Sequence, residues 1–128
     1  MRNPNRIEPF LDLLKNAWKK TPEKDLFKLV TDALGDHEPM IFYIEDERYG
    51  GLLADYIKEH SDVPVDAKRE NEMDDILKEL KVLWSRYPDF RFGQLVANFI
   101  GEKYPEGKVV GVDDAILNHF RNVNKQAN

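Results

Sequence analysis

The stretch Trp18-Lys19-Lys20-Thr21-Pro22-Glu23-Lys24-Asp25-Leu26-Phe27-Lys28-Leu29-Val30-Thr31-Asp32-Ala33-Leu34-Gly35 decides how this chain is read, because its skeleton returns 66 positions later. Trp18, Pro22, Leu29, Val30, Leu34 and Gly35 are answered by Trp84, Pro88, Leu95, Val96, Ile100 and Gly101. A shared Trp and Pro can arise by chance in any chain. Apolar residues that keep step at helical spacing on both sides of them point instead to an internal duplication. Allowing two extra residues in the following loop, Ile44-Glu45-Asp46 lines up with Val112-Asp113-Asp114, and Leu52-Leu53 with Ile116-Leu117 after a compensating shortening.

Working outward, each copy reads as three helices. Ile7, Phe10, Leu11, Leu14 and Trp18 lie on one helical face, and Ile76, Leu77, Leu80, Leu83 and Trp84 repeat the stripe. Pro22 and Pro88 then stop this helix and open the next, since Pro suits a first helical turn and the acid that follows meets the positive end of the dipole. The second helix carries Leu26, Leu29, Val30, Ala33 and Leu34 in one copy and Phe92, Leu95, Val96, Phe99 and Ile100 in the other. Gly35 and Gly101 stand where a left-handed C-terminal cap belongs. Residues 40–44 and 108–112 are short β-prone runs that would pair as a small two-stranded ribbon. Asp46 and Asp113 are expected to cap the third helices, which are built on Tyr49, Leu52, Leu53, Tyr56 and Ile57 and on Ile116, Leu117, Phe120 and Val123. The expected fold is mainly α: two tandem three-helix repeats, residues 1–58 and 73–128, related by a pseudo-twofold axis and joined by a polar linker at 59–72 into one globular body.

Trp84-Ser85-Arg86-Tyr87-Pro88-Asp89-Phe90, followed by Gln94-Leu95 and closed by Asp113-Asp114-Ala115-Ile116-Leu117-Asn118-His119, resembles the YihD-like family of small bacterial proteins of unknown function. The likeness covers about 50 residues of the second copy and, more weakly, the first. The first copy departs at Phe27-Lys28, where the second has Gly93-Gln94, and it has no counterpart of His119. The resemblance implies a helical fold and carries no activity.

Composition narrows the function classes. A chain of 128 residues that is 41% hydrophobic and 34% charged has the make-up of a folded domain. Its longest apolar runs are far shorter than the roughly 20 residues of a membrane span, and acids at Glu8 and Asp12 spoil any signal-peptide pattern. A cytoplasmic location is expected. With no cysteine, disulfides, thiol nucleophiles and cysteine-containing zinc sites are excluded. The net charge of −5 sits entirely in the first half, where residues 1–66 hold nine bases against fourteen acids. That balance opposes non-specific attraction to nucleic acid.

Candidate chemistry is sparse. Asp36-His37-Glu38, Glu45-Asp46-Glu47 and Asp113-Asp114 offer oxygen ligands or a general base, but adjacent acids diverge and helix starts already account for them. His37, His60 and His119 show no paired metal-ligand spacing. His119, near an apolar stripe, is expected to hydrogen-bond Asp113 or Asp114. Gly50-Gly51 reads as a bend or helix defect, since it lacks the Lys and Ser/Thr of a phosphate loop. No catalytic residue, metal or cofactor is expected. The leading reading is a non-enzymatic protein-interaction or regulatory module, with a small metal-dependent or acid-base enzyme and a nucleic-acid binder as alternatives. Its partner-binding surface is placed on Phe90, Arg91, Gln94 and Asn98, because the first copy has the simple charges Lys24, Asp25, Lys28 and Asp32 there and aromatic residues with Arg are enriched at interfaces.

Overall fold

The computed structural model describes residues 2–41, 43–98 and 112–126. The Asn3 side chain accepts from the Asn5 amide and starts a 3₁₀ turn, Pro4–Arg6, that leads into α1 (Ile7–Lys20). This helix buries Ile7, Phe10, Leu11, Leu14, Ala17 and Trp18, the stripe implied by its periodicity. Pro22 is not in the first turn of the next helix, as the sequence suggests; it lies in a tight turn in which the Lys24 amide donates to the Thr21 carbonyl. α2 (Leu26–Leu34) begins only after Asp25, whose carboxylate caps the Lys28 amide at 2.8 Å. Gly35, at φ 54°, ends it, a conformation that a side chain would strain.

A second 3₁₀ stretch, Gly35–Met40, follows. Among the described residues there is no strand, so residues 40, 41, 43 and 44 do not form half of a ribbon. Pro39 has no amide to give a ladder, and Ile44 is drawn into the core. Residues 108–111 lie outside the described residues, and Val112 already belongs to a helix.

α3 (Asp46–Glu59) runs unbroken through Gly50 and Gly51, which therefore mark neither bend nor defect. The expected linker is shorter than 59–72: Asp66 caps the Arg69 amide at 2.8 Å and starts α4 (Ala67–Arg86). Tyr87 to Arg91 form a second turn, in which the Phe90 amide donates to the Tyr87 carbonyl. α5 (Phe92–Val96) then buries Phe92, Leu95 and Val96; Phe99, Ile100 and Gly101 lie outside the described residues. The last helix is α6 (Val112–Gln126).

α1 is the organising element. It packs against α3 and α4, while α4 packs against α6 and α2 touches both α3 and α6. At the centre, the Phe10 ring meets Tyr49 edge-on at 5.6 Å, Trp84 edge-on at 5.4 Å and Phe92 at 4.8 Å. One ring of the first half thus joins its own third helix to two elements of the second half. The Tyr49 hydroxyl donates to the Val30 carbonyl at 2.9 Å, and complete burial pushes its pKa well above that of a free phenol.

Candidate functional site

The most heavily bonded polar groups lie where the halves meet. Asp46 is the first residue of α3, yet its carboxylate does not cap that helix. One oxygen accepts from the Phe92 amide at 2.6 Å, the first amide of α5, and the other from Arg6 Nε at 2.8 Å. Arg6 also donates to the Phe90 carbonyl at 2.8 Å and lies 5.2 Å from the centre of the Trp84 ring. Trp84 Nε1 donates to the same carbonyl at 2.9 Å. A carbonyl has two lone pairs, so both donors are served.

The same set of groups occurs a second time. Asp113, near the start of α6, accepts from the Leu26 amide at 2.9 Å, the first amide of α2, and pairs with Arg69 at 2.8 Å. Arg69 donates to the Lys24 carbonyl at 2.9 Å and the Pro22 carbonyl at 2.8 Å, over the Trp18 ring at 5.2 Å. Trp18 Nε1 shares the Lys24 carbonyl at 2.8 Å. In each brace an Arg and an Asp from one half close on the Trp, the turn carbonyl and the helix start of the other.

These bonds correct one expectation. The acids cap the second helix of the opposite half, where an orphan first-turn amide needs an acceptor, and not their own third helices. Leu26 and Phe92, whose amides are held in this way, are 66 apart. Tyr49 and Leu53, three and seven residues after Asp46, are buried, as are Ile116 and Phe120, three and seven residues after Asp113.

Burial pushes the Asp113 carboxyl above its ordinary pKa, although the Leu26 amide and Arg69 both work to lower it. Outside the first brace, Glu45 pairs with Arg91 at 2.8 Å and Arg2 at 3.2 Å, which hold its carboxyl below the usual value. Arg2 is itself anchored by its amide to the Asp89 carboxylate and by its guanidinium to the Asp89 carbonyl.

Of the four surface residues singled out in the sequence, Phe90, Arg91 and Gln94 are half-buried and Asn98 is exposed. The Phe90 ring stacks on Tyr87 at 5.4 Å, and Gln94 Oε1 accepts from the Arg91 amide at 2.8 Å. Three of the four therefore meet at the start of α5 and help to build it. His119 is half-buried with its ring 6.4 Å from Phe120. Among the described residues no three His or carboxylate side chains gather as a metal cage, and no helix is long and apolar enough to cross a membrane.

Sequence reasoning missed Arg6, Arg69 and Arg2. The two brace arginines are 63 apart, while the frame that relates the tryptophans is 66. A slip of three residues is nearly one helical turn, which a long side chain absorbs and a residue-by-residue alignment hides. No family model, curated protein or solved structure matches this chain.

Proposed function

We propose that this chain is a non-enzymatic interaction or regulatory module made of two diverged copies of one YihD-like helical unit, related by a pseudo-twofold axis. The observation that carries the reading is the pair of braces. Asp46 and Asp113, two acids with the sequence context of a catalytic base or metal ligand, spend both oxygens on an Arg and a helix-start amide. Their chemistry is assembly. Reciprocal use of equivalent groups is also what two copies of one unit would retain when packed face to face.

The partner surface is assigned to the start of α5, with Asn98 and the outer edges of Phe90 and Arg91 facing another protein. Arg91 already exchanges charge with an exposed carboxylate, Glu45, and is positioned to do the same across an interface. The test is affinity capture from the native host by wild type, Arg91→Asp and Phe90→Lys, followed by mass spectrometry. Loss of one captured protein by variants that keep wild-type circular dichroism is expected. Unchanged capture overturns the surface, and an experimental structure whose halves fail to superpose overturns the duplication.

A further inference from the structure

We propose that this chain can trade halves with a second copy of itself, forming a reciprocal dimer in which the part before residue 60 of each chain closes on the part after residue 66 of the other. The contacts between halves are all non-covalent. Both braces, the Phe10 contacts to Trp84 and Phe92, and the ion pairs from Lys15 and Lys19 to Glu70 and Asp74 lie outside the connector. A second chain supplies the same groups in the same geometry. Only the connector knows whether the partner half is its own.

That connector, residues 60–66, is non-helical and mostly exposed between α3 and α4. Its contacts with the body are few: Val65 is half-buried against the core, and Lys20 pairs with Asp62, whose side chain is 96% exposed. α3 and α4 each pack on α1 and not comparably on one another, so the connector has to pass α1. Closure within one chain or between two then differs mainly in effective concentration, and exchange of equivalent elements is a low-cost route to dimers.

The experiment uses two full-length variants. One carries Lys15→Glu with Lys19→Glu, the other Glu70→Lys with Asp74→Lys. Each alone sets like charges against each other across the seam. Mixed, unfolded and refolded together at low ionic strength, they have one arrangement in which every seam is complementary: an exchanged heterodimer with one wild-type seam and one reversed seam. Light scattering on the eluting peak should give twice the 15.0 kDa of one chain, with both chains present in equal amounts. Two folded monomers in the mixture overturn the proposal.

A second variant guards against charge reversals that simply fail to fold. Deleting residues 61–64 leaves four peptide steps from Glu59 to Ala67, a reach of about 14 Å, whereas passing one helix spans about two interaxial distances, ~16–20 Å. The shortened chain should be a folded dimer at every concentration measured. A folded monomer, or a chain that no longer folds, overturns the proposal.

Discussion

Gly93 lies 66 positions after Phe27, and a neighbouring backbone is the reason that it carries no side chain. A Cβ at this position would collide with the carbonyl oxygen of Ile41, an atom that cannot rotate away as a side-chain end can. Gly93→Ala should therefore cost about 2–3 kcal/mol or more, read as a lower urea midpoint; a midpoint equal to wild type would show that the loop yields freely. Asp113 makes a different prediction. Because its carboxyl is raised in the folded state, the native protein binds more protons than the unfolded chain between the ordinary aspartate value of about 3.9 and that raised value. Its contribution is complete below this window and is lost as pH rises through it. Asp32 and Glu45 have the opposite sign. Burial works against the Asp32 charge, but Lys24 and Lys28 hold its pKa down, and both acids contribute above the ordinary carboxylate range and lose that as pH falls. Asp113→Asn keeps an acceptor for the Leu26 amide and removes the titration. The stability of wild type relative to this variant should fall as pH rises through the window, measured by urea midpoints in steps; a relative gain would contradict the assignment.

Among the elements, α3 carries an avoidable cost. Gly51 is exposed in mid-helix with nothing within 4 Å of a would-be Cβ, and at Gly50 the added atom would make ordinary contact, 3.7 Å from Leu13. Gly51→Ala should stabilise the protein by about 0.5–1 kcal/mol, seen as a higher thermal midpoint, and an unchanged or lower midpoint would mean that this backbone is needed for something other than a helix. The same helix shows what was legible beforehand. Its apolar stripe, like those of α1, α2 and α4, could be read from spacing alone, because burial of one face repeats every 3.6 residues whatever the partner is. What local pattern could not show was where turns hand over to helices. Pro22 and Pro88 precede their helices by a full turn, because the carbonyls of Lys24 and Phe90 are held in place by tryptophan and arginine. Ile41 and Ile44 likewise answer to Gly93 and the core and not to their own β propensity, a tertiary override common for short runs.

At the scale of the molecule, the braces were hidden because Asp46 and Phe92 are 46 residues apart and Asp113 and Leu26 are 87 apart. A sequence shows an acid at a helix start and offers the nearest amides; only the packed halves reveal that the amides served are remote. This division of labour has a thermodynamic consequence. Each half lacks an acceptor for the first amide of its own second helix and a cover for its own Trp, and both come from the other half. Neither half can then remain native when its partner opens, since it would expose an indole face and an orphan amide together. Unfolding should be a single two-state event, as for other domains of this length. The tryptophans provide a reporter in each half, because both are fully buried. Trp84→Phe leaves Trp18 as the sole indole, and Trp18→Phe leaves Trp84. Each variant will be less stable than wild type, so the comparison is made within it: the urea midpoint from fluorescence against the midpoint from helical circular dichroism. Coincidence in both variants is expected. If either indole becomes exposed at a urea concentration where half or more of the helical signal persists, the halves unfold separately and the braces do not couple them.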